Sequence, residues 1–284
     1  RPKYMNHTSG SDFKSQSELI EELRKRQQFR FQLGVYLSWL SLLIILLFAF
    51  SGLEAQFLGI QIRTIKLDFQ FIRRHTPFIA SGIGLTILLS FFSIILASCL
   101  AFLGALGRLS KIPFVYALAT FYISLIRGTP LLLQIIFFYL GLPQLGIRLS
   151  GMVAGILALG INYGAYMTEI FRAGIQSVGI GQREAALAIG MTQRQLMQRI
   201  VLPQAIRLVI PPIGNQFIAM LKDTALVSVT GFVWEILWRA QKQGRAYFRN
   251  LEALFIAAIF YWILTIIFSL IQGRVEAYLA KGDR

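Results

Sequence analysis

The stretch Glu184-Ala185-Ala186, followed by Gly190 and then by Ile200-Val201-Leu202-Pro203, decides how this chain is interpreted. Its pattern is EAA-x3-G-x9-I-x-L-P, and its polar residues interrupt an otherwise apolar sequence. The apolar segments before and after it each look able to span a bilayer. A short, water-compatible helical insert at that place indicates a docking surface for a soluble partner.

The spacing within this insert predicts two short helices joined by a glycine turn. Gly181 is a possible N-cap, and it puts Glu184 third after it, where a carboxylate meets the positive end of a helix. Gly190 supplies the left-handed turn that ends helices, and Thr192-x-x-Gln195 fits a capping box that starts the next one. Pro203 is expected to close that second helix and open the following element.

Composition places the chain among membrane proteins. Its 284 residues are 56% hydrophobic and only 14% charged, whereas soluble domains carry about 25% charged residues. A net charge of +15 invites a nucleic-acid interpretation, but basic residues of a membrane protein also collect on cytoplasmic loops and face anionic lipid, which we favour. The single cysteine, Cys99, lies in a long apolar run and is expected to be a small buried hydrophobe.

Six apolar segments predict an all-α membrane protein. A span needs about 20 mainly apolar residues, and the candidates are 33–53, 78–107, 112–142, 149–168, 208–221 and 253–273. The third is interrupted at Arg127-Gly128-Thr129-Pro130, and the fifth is short and contains Pro211-Pro212. The first follows a basic tail, 1–32, and is expected to be retained rather than cleaved as a signal peptide. The chain begins at Arg1 rather than Met, which leaves open that residues upstream were removed or omitted.

The distribution of Lys and Arg predicts the orientation. With six spans both termini lie on one side; placing them inside puts 17 basic residues in the cytoplasm and 10 outside, with Arg127 within a span. This bias favours cytoplasmic termini and a cytoplasmic insert. Four basic residues stand on the unexpected, outer side: Arg63, Lys66, Arg73 and Arg74.

The insert and three further regions, the last of them in two parts at 215–218 and 221–229, resemble one family. The insert resembles the cytoplasmic loop of type I ABC-importer permeases, the inner-membrane subunits of binding-protein-dependent uptake systems. Further segments are similar to the polar amino acid branch of that family: Ser81-Gly82-Ile83-Gly84-Leu85-Thr86, Ile126-Arg127-Gly128-Thr129-Pro130-Leu131-Leu132, Asn215-Gln216-Phe217-Ile218 and Leu221-Lys222-Asp223-Thr224-Ala225-Leu226-Val227-Ser228-Val229. The resemblance covers a five-helix core at about 78–275, with an extra first helix at 33–53 and a cytoplasmic tail at 276–284.

The resemblance implies a permease that imports amino acids and dimerises around a central pathway, with itself or with a similar permease. Its cytoplasmic helices, at about 181–202, would sit in clefts of two ATPase subunits, and a periplasmic amino-acid-binding protein would deliver substrate. No cofactor is expected in this chain, and because it contains no GxxxxGK[ST] phosphate loop, ATP and Mg are expected on the partner ATPase. The residues assigned to coupling are Glu184, Ala185, Ala186, Gly190, Arg194 and Pro203.

Polar residues at membrane depth are the candidates for the substrate pathway, because they are expensive unless they face a cavity or a partner helix. Arg127 lies at the Gly-Pro break, as a pathway or gate residue or as a structural partner of Glu169 or Asp223; both alternatives stay open. Glu169 and Arg172, one helical turn apart, are expected to form a structural ion pair. The other pathway or gate candidates are Asn162, Tyr163, Asn215, Gln216, Lys222, Asp223 and Thr224.

Two other classes of membrane protein are disfavoured. An ion-coupled transporter would need inverted repeats and buried acids along its pathway, and we find no repeat. An intramembrane enzyme would need a motif such as HExxH or GxSxG, which the chain lacks, and neither His7 nor His75 resembles a metal ligand. The sequence does not favour a cationic amino acid as substrate, and a polar or broad amino acid range is the expectation.

Overall fold

The computed structural model describes residues 10–57 and 60–280. The elements are α1 (Gly10–Ala49), β1 (Glu54–Phe57), β2 (Ile60–Arg63), α2 (Phe69–Ala80), α3 (Ile83–Arg108), α4 (Pro113–Arg127), α5 (Leu131–Ile136), α6 (Gly151–Gln176), α7 (Ile180–Ala188), α8 (Gln193–Leu196), α9 (Leu202–Asp223), α10 (Ile236–Ala246) and α11 (Asn250–Ala280). Short helical segments of other types extend these: π-turns at Phe137–Gly141 and Met197–Val201, and 3-10 segments at Leu142–Leu145 and Thr224–Thr230.

The chain divides into two compact units, the first ending at Asp68 and the second beginning at Phe69. In the first unit, α1 continues without a break through the predicted tail boundary at residue 33. An antiparallel hairpin follows, with Glu54 opposite Arg63 and Phe57 opposite Ile60. This hairpin was not predicted, although polar and apolar residues alternate along both strands, which is the period of a strand.

Helices α3, α6 and α9 form the centre of the second unit. Small residues let α6 approach both neighbours: Gly160 and Gly164 pack on Leu96 and Leu100 of α3, while Gly174 packs on Val209 of α9. A helix without side chains at these positions brings backbones close together, as in other membrane helix pairs. The contacts show that α3 and α6 run in the same direction and that α9 runs against them.

The 3-10 segment Thr224–Thr230 continues α9 along the rest of α6. Gly155 of α6 packs on Val227, and Gly151, at the start of α6, packs on Thr230. The α9 path therefore accompanies the whole of α6, and Asp223, at the junction, lies near the middle. We use "α7 end" for the end of this core at Gln176 and "α10 end" for the end at Gly151.

Four described helical stretches are long and apolar enough to cross a membrane: Leu23–Ala49, Phe69–Arg108, Gly151–Gln176 and Asn250–Leu279. The pair Pro113–Arg127 and Leu131–Leu145 makes a fifth if it counts as one span, although it bends by 101° at the break. These five correspond to five of the six predicted spans. The sixth, 208–221, lies within α9, which does not reach the same apolarity because it contains three prolines, three amides and the charged residues Arg207, Lys222 and Asp223.

The expected burial of Cys99 needs correction, and the compact unit extends beyond the predicted permease core. Cys99 is exposed rather than buried, because it belongs to a stripe of α3, together with Ile95 and Leu103, that points away from α6. The second compact unit begins at Phe69, before the predicted start of the permease core at about 78, since α2 packs on α10 and α11 through Phe71 and Ile79. The predicted tails at 1–32 and 276–284 extend beyond the described residues at both termini.

Candidate functional site

The insert folds as two short helices joined at Gly190. This glycine has a φ of +86°, in the left-handed region that residues with side chains rarely adopt. Its N–H donates to the carbonyl of Leu187 (3.0 Å), and the N–H of Met191 donates to the carbonyl of Ala186 (3.1 Å). These two bonds form the Schellman arrangement that ends a helix.

The predicted capping box at the second helix is present. The hydroxyl of Thr192 accepts from the N–H of Gln195 (3.3 Å), and the Gln195 amide oxygen accepts from the N–H of Thr192 (2.9 Å). Pro203, however, does not close this helix. The chain runs from α8 through the π-turn Met197–Val201 directly into α9, with Pro203 in the first turn of α9.

The first helix differs from the prediction at its start. Its N-cap is Gly179 rather than Gly181, so that Glu184 is the fifth helical residue and lies outside the first turn. The extended backbone of Gly179 allows helix to begin at Ile180, and the N–H of Arg183 already bonds to the Gly179 carbonyl (3.4 Å). The predicted interaction of Glu184 with the helix N-terminus is therefore wrong.

The exposed surface of the insert is mixed in character. Glu184, Ala185, Arg194 and Pro203 are exposed. Ala186 is buried, in a cluster with Ile175 of α6 and Ala205 of α9, so only Ala185 can contribute to the low-relief face predicted for the alanine pair. Large apolar side chains are exposed beside these residues: Ile180, Leu187 and Ile189.

Arg183, which the sequence analysis did not single out, joins α7 to α6. Its Nε donates to the carbonyl of Val178 (3.1 Å), and its Nη2 donates to the carbonyl of Ile175. The last carbonyls of a helix have no partner within the helix, and Arg183 binds one of them, that of Ile175, together with the Val178 carbonyl of the connection between α6 and α7. The α7 helix is thereby attached to the end of α6.

A polar cavity of about 560 Å³ opens between the α4–α5 break, α6 and α9. It lies near the middle of α6 because both the break and the α9 junction are at that height. Its lining contains five of the predicted pathway residues together with the backbone of the break: Arg127, Gly128, Thr129, Pro130, Leu131, Asn162, Tyr163, Tyr166, Gln216 and Asp223.

The two charged residues of the cavity are each held by a tyrosine of α6. The guanidinium carbon of Arg127 stands 5.0 Å from the ring centre of Tyr166, a cation–π distance. The hydroxyl of Tyr163 donates to Oδ2 of Asp223 (2.8 Å). Among the described residues Arg127 has no carboxylate within ion-pair distance, so neither Glu169 nor Asp223 is its structural partner.

The α4–α5 break is organised by Gln134, which the sequence analysis missed. Its Nε2 donates to the carbonyl of Ile126 (2.9 Å), the carbonyl of Thr129 (3.2 Å) and the Thr129 hydroxyl (2.8 Å). Its Oε1 accepts from Nδ2 of Asn162 (3.1 Å). The signal was available, since one amide in the apolar run Leu131–Ile136 must find partners when buried.

Three other predicted pathway residues do not line the cavity. Asn215 and Lys222 are exposed on α9. Thr224 is fully buried, and its hydroxyl donates to the carbonyl of Leu221 (2.8 Å). A helix turns by about 100° per residue, so adjacent positions face different ways. For this reason the motif contributes Gln216 and Asp223 to the cavity but not their neighbours.

Glu169 and Arg172 are in contact, with 2.7 Å between Oε2 and Nε. Arg108 of α3 also approaches the carboxylate, at 3.8 Å between its Nε and Oε1. The Nη1 of Arg108 donates to the hydroxyls of Tyr116 (3.0 Å) and Thr120 (3.1 Å) on α4. The pair is thus part of a network that joins α3, α4 and α6 toward the α7 end.

A buried carboxylate at the α10 end also escaped the sequence analysis. Glu235 is fully buried and caps α10, accepting from the N–H groups of Leu237 (2.9 Å) and Trp238 (2.7 Å) and from the hydroxyl of Tyr261. Burial raises the pKa of this carboxyl above its ordinary value. Gly82 packs against the backbone here, since a Cβ at that position would lie 2.7 Å from the carbonyl carbon of Glu235.

These features define a class: a helical membrane protein with a polar cavity halfway through its core and a water-exposed helix pair at one end. The family described as "binding-protein-dependent transport system inner membrane component" matches residues 97–281. The chain belongs to this family, the permease subunits of type I ABC importers. The predicted family, the predicted helical fold and the prediction of a transport subunit with a separate ATPase are confirmed.

Two relatives and two solved structures are similar to this chain. The chain is 38% identical to the arginine transport system permease ArtQ of Bacillus subtilis, over 77% of this chain and 100% of that protein. It is 39% identical to the L-cystine permease TcyB of the same organism, over 72% and 89%. A crystal structure of an amino acid ABC transporter with histidines matches with a TM-score of 0.70 and 38% identity, covering 75% of this chain and all of that one. The MetNI methionine transporter shares the fold, with a TM-score of 0.57 and 15% identity over 74% and 97%.

Proposed function

We propose that this chain forms the pathway of an ATP-driven amino acid importer in a bacterial inner membrane. A partner ATPase, which holds ATP and Mg, binds the α7–α8 pair in the cytoplasm, where both termini also lie. Two copies of the chain, or this chain with a similar permease, enclose the pathway, and two ATPase subunits complete the complex. A periplasmic amino-acid-binding protein supplies the substrate.

The observation that carries the coupling role is the attachment of α7 to α6. Arg183 binds the carbonyl of Ile175 in the last turn of α6 and that of Val178 in the connection to α7. Helix α6 also carries Asn162, Tyr163 and Tyr166 in the cavity. A displacement of the α7–α8 pair by the ATPase would therefore move one wall of the cavity. Rigid-body movement of packed helices is a common form of switching.

The exposed face of the insert suits an ATPase cleft. Glu184 and Arg194 offer charges of opposite sign, and Ile180 and Ile189 offer apolar side chains that remain uncovered in the single chain. Apolar residues rimmed by polar ones are typical of protein–protein interfaces. We expect Ala186 to contribute indirectly, by packing α7 against α6 and α9.

The cavity has the chemistry for a zwitterion. Asp223 can accept from an α-ammonium group, and Arg127 can bind an α-carboxylate. Asn162 and Gln216 add amide donors and acceptors for a polar side chain. The names of the relatives, which include arginine, cystine and glutamine systems, support an amino acid as substrate. We retain a polar or broad amino acid range as the proposal.

Uptake of labelled glutamine into proteoliposomes that contain the permease, its ATPase and the binding protein tests this function. Glu184→Lys and Gly190→Asp should abolish ATP-driven uptake and weaken ATPase association; the latter puts a side chain where φ is +86°. Gly179→Ala is the control, because a Cβ there meets nothing within 4 Å. Undiminished uptake and normal ATPase association in both insert variants would contradict the coupling role.

A further inference from the structure

A groove of about 630 Å³ lies at the α10 end, between α10 and the 3-10 segment Thr224–Thr230. One side is formed by Ser228 and Val229 with the neighbouring Gly231, and the other by the outward face of α10. That face presents Trp238, Gln241, Lys242 and Arg245. The buried positions of α10 are Ile236, Ala240 and Gly244, a spacing of four that leaves this polar face exposed.

The charge of the groove is positive and uncompensated. Residues 224–250 contain four basic residues, of which Arg249 pairs with Glu252 at 3.4 Å. The one acid in this range, Glu235, is buried and bonded to the N-terminus of α10. Lys242 and Arg245 are exposed, and neither has a carboxylate partner among the described residues. This is the part of the chain where the positive-inside rule predicts few cations.

The cations of α10 divide into those used by the fold and those presented to the outside. Arg239 is used internally: its Nε donates to the carbonyl of Trp234 (2.7 Å), and its guanidinium lies over the ring of Phe78 at 4.9 Å. Lys242 stands 5.1 Å from the ring centre of Trp238, which is itself stacked on Trp234 at 5.3 Å. The tryptophan pair thus supports the ammonium group at the groove without neutralising it.

We propose that this groove is the docking site for an acidic loop or helix of the binding protein, an inference that rests on the proposed function. Charge complementarity selects an acidic protein surface and would steer its encounter. Continuity with the pathway favours a protein over lipid: the segment that forms one side of the groove begins at Thr224, directly after Asp223 of the cavity. Docking here would act on the segment that leads to the substrate site.

The test compares two double charge reversals in the full reconstituted complex, using the binding protein that stimulates the wild-type ATPase. Lys242→Glu with Arg245→Glu changes the groove. Arg73→Glu with Arg74→Glu changes two exposed arginines of α2, with the same change in net charge. The groove pair should raise the half-saturating concentration of binding protein about tenfold or more, and the α2 pair should leave it within about twofold.

Further variants and conditions distinguish a docking defect from misfolding and from lipid binding. Lys242→Gln with Arg245→Gln should flatten the salt dependence of stimulation while basal ATPase activity stays normal, which separates a docking defect from misfolding. Equal behaviour of the groove and α2 pairs would overturn the proposal. The proposal would also be overturned if omitting anionic lipid reduced ATPase stimulation of the wild-type complex as much as the groove pair does. The groove would then bind lipid headgroups. Absence of any stimulated uptake by the wild type would instead refute the proposed function.

Discussion

Helices α4 and α6 run through the same core and both line the cavity, but one is broken and the other is continuous. Helix α6 is an unbroken α-helix of 26 residues, and its glycines lie against side chains of α3 and α9. The path from α4 to α5 turns by 101° within a few residues. One wall of the cavity is therefore a rigid helix, and the other exposes backbone at membrane depth.

The broken and the continuous wall show how a polar cavity is built inside an apolar protein. Backbone that leaves a helix at membrane depth must find new partners or border water. Gln134 provides those partners for the carbonyls of Ile126 and Thr129, and it reaches α6 through Asn162. The broken wall is thus held by side-chain hydrogen bonds, whereas the continuous wall is held by close packing.

The largest effect is expected where the broken wall loses its hydrogen bonds. Gln134→Leu keeps a similar volume but leaves the Thr129 carbonyl and the Asn162 amide without their partner, at about 1–3 kcal/mol for each buried group left unsatisfied. We expect a clear fall in the melting temperature of the detergent-solubilised protein and loss of uptake in proteoliposomes.

Asn162 provides a direct check on that prediction. In a double-mutant cycle, Asn162→Leu should be less harmful in the Gln134→Leu background than in the wild type, because the two amides share one bond. Additive losses of stability would show that Gln134 does not act through α6.

The sequence predicts the two walls unequally. The break was predicted because Arg127-Gly128-Thr129-Pro130 cannot continue an apolar helix, and the glycine turn and capping box of the insert are local patterns of backbone conformation. The ends of the insert's helices were misplaced, since the extended backbone of Gly179 and the π-turn before Pro203 depend on how the pair packs against α6.

Long-range partners were beyond prediction from one sequence. Asp223 lies 60 residues from Tyr163, and Glu235 lies 26 residues from Tyr261. Only the packing of α6, α9 and α11 brings such residues together. The polar candidates could be enumerated from the sequence, but which of them face the cavity could not, because the side of α9 that packs against α6 is set by tertiary contacts such as that of Val209 with Gly174.

A smaller effect is expected in the continuous wall when its close packing is disturbed. A Cβ on Gly164 would lie 2.8 Å from the Tyr122 hydroxyl, 2.9 Å from Leu100 Cβ and 3.3 Å from the Ala97 carbonyl oxygen. Overpacking of this kind costs about 1–3 kcal/mol, part of which the better helix propensity of alanine offsets by about 1 kcal/mol. Gly164→Ala should therefore lower the melting temperature.

Gly84→Ala is the matched control for the continuous wall, because it is also helical and a Cβ there meets nothing within 4 Å. That variant should be neutral or slightly more stable than the wild type, since only the propensity gain applies. Equal melting temperatures for the two alanine variants would contradict the view that α6 is held by close packing.

The smallest effect on stability is expected at the hydrogen bond by which Tyr163 joins the continuous wall to α9. Tyr163→Phe removes the 2.8 Å hydrogen bond to Asp223 and leaves the ring in place. Hydrogen bonds between membrane helices contribute about 0.6 kcal/mol on average, so the melting temperature should hardly change.

The same variant should alter transport. Without the hydrogen bond from Tyr163, the Asp223 carboxylate should bind the substrate ammonium group with a different affinity. The glutamine concentration that gives half-maximal uptake, measured at a fixed concentration of binding protein, should therefore change by more than about twofold. Asp223→Asn should abolish that dependence on residue 163, because an amide has no charge to offer the ammonium group. If Tyr163→Phe changes stability as much as Gly164→Ala and leaves uptake unaltered, this bond fastens the two helices and has no part in the pathway.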